Sequence, residues 1–312
     1  MNEVLVLKLN LSELNQLAQQ LNDSIQSKPP HTIFLAKKDG HTITAYQSGK
    51  LMIQGPAPQQ LAQDLGIQGD HTVSSPSKKS TRSKKQPLPA DFDSWHIIGS
   101  DENGNGSYFG SVTVAATYVG PKEMKRLNQL GVRDSKTMTD TTIRQLAQEI
   151  KQTIPYELCI VPPQKYNEVI QTMSQHQMKA ILHNHVLTKL ETRILNDHQP
   201  LDGLLIDEFE ATSTYLKHIK NEKKKTQSKL YSTYRAESEH LAVAAASIIA
   251  RDAFLTSLET LGAPYQVILP SGASAQSDQM AATLIKKYGE EALFHTAKLH
   301  FKNTEKAKKL AR

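Results

Sequence analysis

The chain has 312 residues, enough for two compact domains, with 38% apolar residues, a net charge of +6 and a pI near 9.1. Its one cysteine, Cys159, excludes an internal disulfide framework and a multi-cysteine zinc cage. No run approaches the ~20 continuous apolar residues of a membrane span, and residues 1–9 lack the basic-then-apolar design of a signal peptide. A soluble cytoplasmic protein is expected, and the basic balance favours a polyanionic partner because phosphates release counterions to Lys and Arg.

Residues 4–9 read as a strand, and Ser12 is placed to cap a helix running to about residue 24, with Leu14, Leu17, Leu21 and Ile25 at helical spacing. Strands at 32–36, 42–47 and 51–54 are joined by Lys38-Asp-Gly40 and Ser48-Gly-Lys50, both good hairpin turns. A short helix at 58–65 closes the unit. The order βαβββα implies an antiparallel sheet with helices on one side and the other face open, a docking platform without catalytic residues. Residues 73–91 then carry Pro76, Pro87 and Pro89 beside Lys78, Lys79, Arg82, Lys84 and Lys85, with no apolar periodicity. Such a stretch buries too little to offset chain entropy and reads as a flexible basic linker between a domain at 1–72 and another at 92–312.

Beyond it the pattern becomes α/β. Strands are expected at 96–101, 111–119 and 157–161, the last carrying Cys159 as a buried, inert thiol. A helix capped by Thr139 should reach residue 150, and a long amphipathic helix should span 166–196. Short strands at 203–207 and 229–235 precede a helix at 239–261, rich in small residues, and helices at 279–288 and 305–311.

Two expected strands end in acid: Asp101 with Glu102, and Asp207. A carboxylate after a buried strand costs desolvation energy unless something pairs with it. Hard oxygens suit Mg²⁺ or Mn²⁺; a helix cap or loop ion pair is the alternative for any one of them. Neighbouring strand residues point to opposite faces, so a regular strand cannot aim both Asp101 and Glu102 one way. Gly104 and Gly106 allow a bulge or tight turn that would swing Glu102 round, and allow close approach of a polymer backbone. Phosphate-loop and dinucleotide fingerprints both fail here, because no Gly-Lys-Ser/Thr follows and the acids precede the glycines.

The run Asp101-Glu-Asn-Gly-Asn-Gly-Ser-Tyr-Phe-Gly110 resembles the Asp-Glu-x-Gly-x-Gly-x-x-Phe-Gly signature of the ribonuclease HIII branch of type 2 ribonucleases H. Further segments resemble that family in order: Gly131-Val-Arg-Asp-Ser-Lys136, Met178-Lys-Ala-Ile-Leu-His-Asn184, Leu204-Leu-Ile-Asp207, Ala236-Glu-Ser238 with the helix through Arg251, and Lys298-Leu-His-Phe-Lys302. The resemblance implies a ribonuclease H-like mixed sheet with flanking helices, preceded by a small α+β domain like the TATA-binding protein. It also implies four metal-ligating catalytic carboxylates, Asp101, Glu102, Asp207 and Glu237, with Asp101 bridging two Mg²⁺ or Mn²⁺ ions. The expected reaction is hydrolysis of the RNA strand of an RNA–DNA hybrid by a monomer without membrane contact, leaving 5′-phosphate and 3′-hydroxyl ends. Crowding of the carboxylates should raise their pKa values before metal binds.

By the same resemblance, backbone groups of Gly104, Asn105 and Gly106 should contact the ribose 2′-hydroxyl, the group that separates RNA from DNA. Lys136 is either a phosphate contact or a solvated lysine. Lys179 and His183, four apart on one helical face, are either satisfied in the core or in contact with substrate. The basic run 217–229 is a solvated loop or a grip on the hybrid. Glu208, Glu210 and Asp252 read as surface or supporting charges.

Overall fold

The computed structural model describes residues 3–27, 32–67, 88–132 and 138–312. The chain divides into two compact units, Met1–Lys84 and Lys85–Arg312. Lys136 and most of the expected linker lie outside the described residues.

Among the described residues, the first unit is a five-stranded antiparallel sheet with two helices. Its elements are β1 (Glu3–Lys8), α1 (Leu11–Gln20), β2 (Ile25–Ser27), β3 (Thr32–Lys38), β4 (His41–Tyr46), β5 (Lys50–Gly55) and α2 (Pro58–Asp64), with strand order β1-β5-β4-β3-β2. Period-two alternation puts Leu5, Leu7, Phe34, Ala36, Ile43, Ala45, Leu51 and Ile53 on one face. They pack with Leu14, Leu17, Leu61 and Ala62 of the helices. The opposite face carries a cross-strand row, Val6–Met52–Thr44–Leu35. The helix cap is Asn10 and not Ser12: Asn10 Oδ1 accepts from Glu13 N at 2.9 Å while Glu13 Oε2 accepts from Asn10 N at 2.7 Å. The helix stops at Gln20, and a 3₁₀ turn leads into β2, a strand too short and exposed to leave an alternating signal.

The second unit, among its described residues, holds a mixed five-stranded sheet. Its strands are β6 (Ile97–Asn103), β7 (Val112–Val119), β8 (Tyr156–Val161), β9 (Gly203–Asp207) and β10 (Leu230–Thr233), in order β10-β9-β6-β7-β8. β6 pairs antiparallel with β7 and parallel with β9, and β9 pairs parallel with β10. Helices α3 (Pro121–Gln129) and α4 (Asp140–Thr153) follow β7, and α5 (Pro163–Val169) and α6 (Gln175–Asn196) follow β8. The rest are α7 (Thr212–His218), α8 (Leu241–Gly262), α9 (Ala275–Tyr288), α10 (Glu291–Thr296) and α11 (Lys302–Ala311). The expected helix over 166–196 is two helices, because Ser174 caps a new start by accepting from Gln177 N at 3.1 Å.

Helices cover both faces of this sheet, so every residue of β7 is buried. Ile97, Ala115, Val119 and Leu205 face α8 and α4. Ile98, Val114, Ala116, Leu204 and Ile206 face α6. α8 is long and apolar enough to cross a membrane, but 67% of that window is buried inside the fold, as befits a core helix. It lies close on β6: a Cβ added at Gly99 would meet Val243 N at 2.6 Å. Leu88 packs on this core, ahead of the expected boundary at residue 92. Cys159 is half-buried on β8, and burial raises its thiol pKa.

Candidate active site

β6 carries Asp101 and Glu102 at its carboxyl end, beside the end of β9 with Asp207. No bulge redirects them. The β6–β7 register runs unbroken through Asp101↔Ala115, Glu102↔Val114 and Asn103↔Thr113, so the expected swing of Glu102 does not occur. Parity therefore places Asp101 on the α8 face with Ile97, and Glu102 on the α6 face with Ile98 and Ser100.

Each face supplies its own partners. Asp101 receives hydrogen bonds from Ser247 of α8 and from the Glu102 amide, the latter at 2.8 Å. Burial, then repulsion from Glu102 and Asp207, outweighs these bonds and pushes the Asp101 carboxyl well above its ordinary range. Glu102 faces the opposite balance. Burial alone would raise it, but His183 and Lys179 together bring it down to about 2. Lys179 Nζ donates to Oε1 at 2.9 Å, and His183 Nε2 lies 2.9 Å from Oε2. Ser100 Oγ holds the other ring nitrogen of His183 at 2.8 Å. Phe209, two residues past Asp207, stacks on His183 and places its ring 4.0 Å from Lys179 Nζ.

Glu237 sits on the 3₁₀ turn Ala236–Ser238 and is buried. That turn hangs on Asp207, whose Oδ1 accepts from Ala236 N at 2.9 Å. The structure thus brings Glu102 and Asp207 within electrostatic reach of Asp101 and ties the turn that carries Glu237 to Asp207. Among the described residues, no three His, Cys, Asp or Glu side chains are gathered at metal-holding separation. The donor chemistry nevertheless fits a divalent cation. The cluster is rich in hard oxygens, and Asp101 is buried among carboxylates that repel its charge, while Lys179 and His183 contact Glu102.

After β6 the chain turns at Gly104, with φ +85°, where a Cβ would meet Ser111 O at 2.1 Å. Asn105 Oδ1 is buried and has no hydrogen-bond partner among the described residues. Gly106 is open, with nothing within 4 Å of an added Cβ. The loop borders a groove of about 470 Å³ lined by Glu102, Asn103, Asn105, Ser107, Arg251 and Ser271. Lys179 and His183 touch a catalytic candidate directly, which the sequence left undecided. Ser100, Ser247 and Phe209 were missed; an aromatic two residues after a strand-ending Asp was the only available signal. Asn184 and the buried Glu191 pin the basic run onto α6: Asn184 donates to Lys224 O at 2.8 Å, and Glu191 accepts from Gln227 N and Ser228 N. Asp252 pairs with Lys151 at 2.7 Å and Glu210 with His218 at 3.0 Å, both away from the cluster's hydrogen bonds.

A mixed sheet sandwiched by helices, with carboxylates at the joined ends of its central strands, places the unit in the class of ribonuclease H-like α/β folds. The chain belongs to the ribonuclease HII family, whose model matches residues 98–304, and within it to the ribonuclease HIII branch. It is 46% identical to ribonuclease HIII of Enterococcus faecalis over 98% of this chain and 97% of that one. The ribonuclease HIII of Exiguobacterium sibiricum is 38% identical over the same shares. The crystal structure of Bst-RNase HIII in complex with Mn²⁺ superposes with a TM-score of 0.68 at 34% identity, covering 99% of both chains. Aquifex aeolicus RNase H3, at 21% identity and a TM-score of 0.52 over 95% of this chain and 99% of that one, supports the fold alone. Residues 4–80 match a domain of unknown function, DUF3378.

Proposed function

We propose that this ribonuclease H hydrolyses the RNA strand of RNA–DNA hybrids with two divalent cations, Mg²⁺ or Mn²⁺, held by Asp101, Glu102, Asp207 and Glu237. The observation that carries it is the state of Asp101: buried beside two other carboxylates and destabilised as an anion. A divalent cation held by these hard oxygens would offset that repulsion. A relative of the same branch has been crystallised with Mn²⁺.

The chain's own residues set the stage. Ser247 and the Glu102 amide orient Asp101, the predicted bridging ligand. Lys179 and His183 keep Glu102 ionised on the far face of the strand. Asp207 fixes the turn that brings Glu237. Backbone groups of Gly104, Asn105 and Gly106, which border the groove beside Glu102, contact the ribose 2′-hydroxyl in this reading. Bound cations would supply an activated water and charge neutralisation at the phosphate, giving 5′-phosphate and 3′-hydroxyl ends. Lys136 and the pinned basic run are phosphate contacts in this reading, and the open face of the first unit's sheet grips the hybrid.

The test is cleavage of a labelled hybrid with EDTA, Mg²⁺ or Mn²⁺, with end-group analysis of the products. Metal-dependent cutting of the RNA strand is expected; cutting in EDTA, or none with either metal, would refute the proposal. A duplex with one embedded ribonucleotide separates this specificity from one aimed at isolated ribonucleotides: efficient cutting there would overturn the preference for hybrids.

A further inference from the structure

Lys298, from the C-terminal Lys-Leu-His-Phe-Lys segment, has no part in the mechanism above, yet it is the most deeply buried lysine described, at 0% exposure. A lysine in the interior normally meets a carboxylate. This one does not. Its Nζ donates to three backbone carbonyls, Ser107 O at 2.8 Å, Gly110 O at 2.6 Å and Phe109 O at 3.4 Å, with the Tyr166 ring 5.7 Å away. An ammonium has three N–H donors and no acceptor, so the three oxygens match its full capacity.

Those carbonyls belong to the segment that follows Gly104–Gly106 directly, where the chain has left β6 and not yet entered β7. Irregular buried backbone needs hydrogen-bond partners from elsewhere, and the C-terminal segment supplies several, beside Gly272, whose O accepts from Tyr108 N at 3.0 Å. Lys298 N donates to Tyr108 O at 2.8 Å, and Gly110 N donates to Thr296 O at 3.1 Å. Asn167 fixes the two residues flanking Lys298: its Nδ2 donates to Ala297 O and its Oδ1 accepts from Leu299 N, both at 2.9 Å. Burial without a compensating anion lowers the Lys298 pKa to about 7. The ammonium therefore satisfies carbonyls that an apolar side chain of similar volume would leave buried and unpaired, so its place is tied to the shape of this segment.

We infer that Lys298 is a positioning residue for catalysis, holding the glycine loop of residues 104–106 in the shape that receives the ribose of the RNA strand. The inference rests on the reading of that loop in the proposed function. Between the end of β6 and the knot at Lys298 the loop is fixed on both flanks, so the C-terminal segment, together with Gly272, sets its position relative to Asp101 and Glu102.

The experiment compares wild type with K298M, which keeps the shape and removes every donor, and K298Q, which keeps two N–H donors. T304V serves as a packing control: it removes the 3.1 Å bond between Thr304 Oγ1 and Tyr108 OH in the same C-terminal contact without touching the loop carbonyls. On a hybrid with saturating metal, kcat should fall about tenfold or more in K298M and less in K298Q, with KM within about threefold. The metal-free preference for binding hybrid over an all-DNA duplex should shrink in the same order. T304V should lower Tm while leaving kcat and that preference unchanged. If K298M does not fold, K298Q is read by the same two measures. A folded variant with wild-type kcat and preference overturns the role of Lys298, as does a T304V that loses kcat in proportion to its Tm. A wild type that cuts no hybrid overturns the reading of the loop as well.

Discussion

His183 Nε2 lies 2.9 Å from Glu102 Oε2, and the other ring nitrogen lies 2.8 Å from Ser100 Oγ, two residues back on the same strand. A carboxylate can only accept, so Nε2 donates to it, and Ser100 fixes the ring that does so. With Lys179 on the second oxygen, Glu102 is aimed before any substrate arrives. Such supporting partners typically matter by ~10–100-fold in metal affinity or activity. H183A and K179M should each lose activity in that range and shift the metal titration midpoint, measured as initial rate against Mn²⁺ concentration. Unchanged titration curves in both would remove the supporting role.

The same contacts make an acid-stability prediction. Glu102 has a folded pKa of about 2 against an ordinary 4.5, so the unfolded chain takes up its proton first as pH falls. The stability this group provides is present above 4.5 and is lost on the way down to about 2. Urea midpoints should show wild type ahead of E102Q at pH 6, with the gap closing over that window. A gap independent of pH would mean that the charge of Glu102 contributes nothing.

Asp101 should behave in the opposite sense. Its folded pKa is raised above 3.8, so its ionised form costs the folded state more than the unfolded one, and the cost grows with pH. D101N in EDTA at neutral pH should melt a few degrees higher than wild type, roughly the effect of 1 kcal/mol in a domain of this size. It should lose cleavage on the order of a thousandfold while retaining hybrid affinity. Calorimetry with and without Mg²⁺ checks both halves: added metal should raise the Tm of wild type and not that of D101N.

Gly104 and Gly106 differ in what they tolerate. G104A forces a Cβ to 2.1 Å from Ser111 O in a left-handed conformation, and should cost stability by more than about 1 kcal/mol along with activity. G106A meets nothing within 4 Å, so its Tm should match wild type. If a ribose approaches there, G106A should still lose about tenfold in kcat/KM. Full activity in G106A would place the RNA backbone elsewhere.

The row Val6–Met52–Thr44–Leu35 on the open face of the first unit gives a separate handle. M52E should repel phosphate and raise KM about tenfold while kcat stays within twofold, with a steeper salt dependence of affinity expected for wild type than for variants lacking basic contacts. Equal KM for M52E and wild type would assign the grip to another surface.

The strand-ending acids were legible because a buried apolar run that stops at Asp101 or Asp207 marks a sheet edge in any sequence. Their directions were not legible. A bulge is needed only if both carboxylates share a face, whereas α6 brings Lys179 and His183 to the far side and makes a regular strand sufficient. Only tertiary packing could show that. Lys298 was hidden for a related reason: lysines are seldom buried, and nothing local to Lys298 reveals that three carbonyls some 190 residues earlier converge on it. β2 and α7 escaped because short elements with polar faces carry little periodicity, and the start of α6 escaped because Ser174 interrupts the helix without Pro or Gly.

The tie between the C-terminal segment and the loop after β6 also bears on the order in which this protein becomes able to act. Ribosomal synthesis delivers Asp101 and Glu102 early, Asp207 and Glu237 later, and Lys298 close to the end. Neighbouring strands β6 and β9 cannot pair until about a hundred residues between them have emerged, a contact of long loop closure. A partly made chain that has not reached Lys298 therefore lacks the ammonium that joins the carbonyls of Ser107, Phe109 and Gly110, so the fastening of this loop is among the last contacts the fold can make.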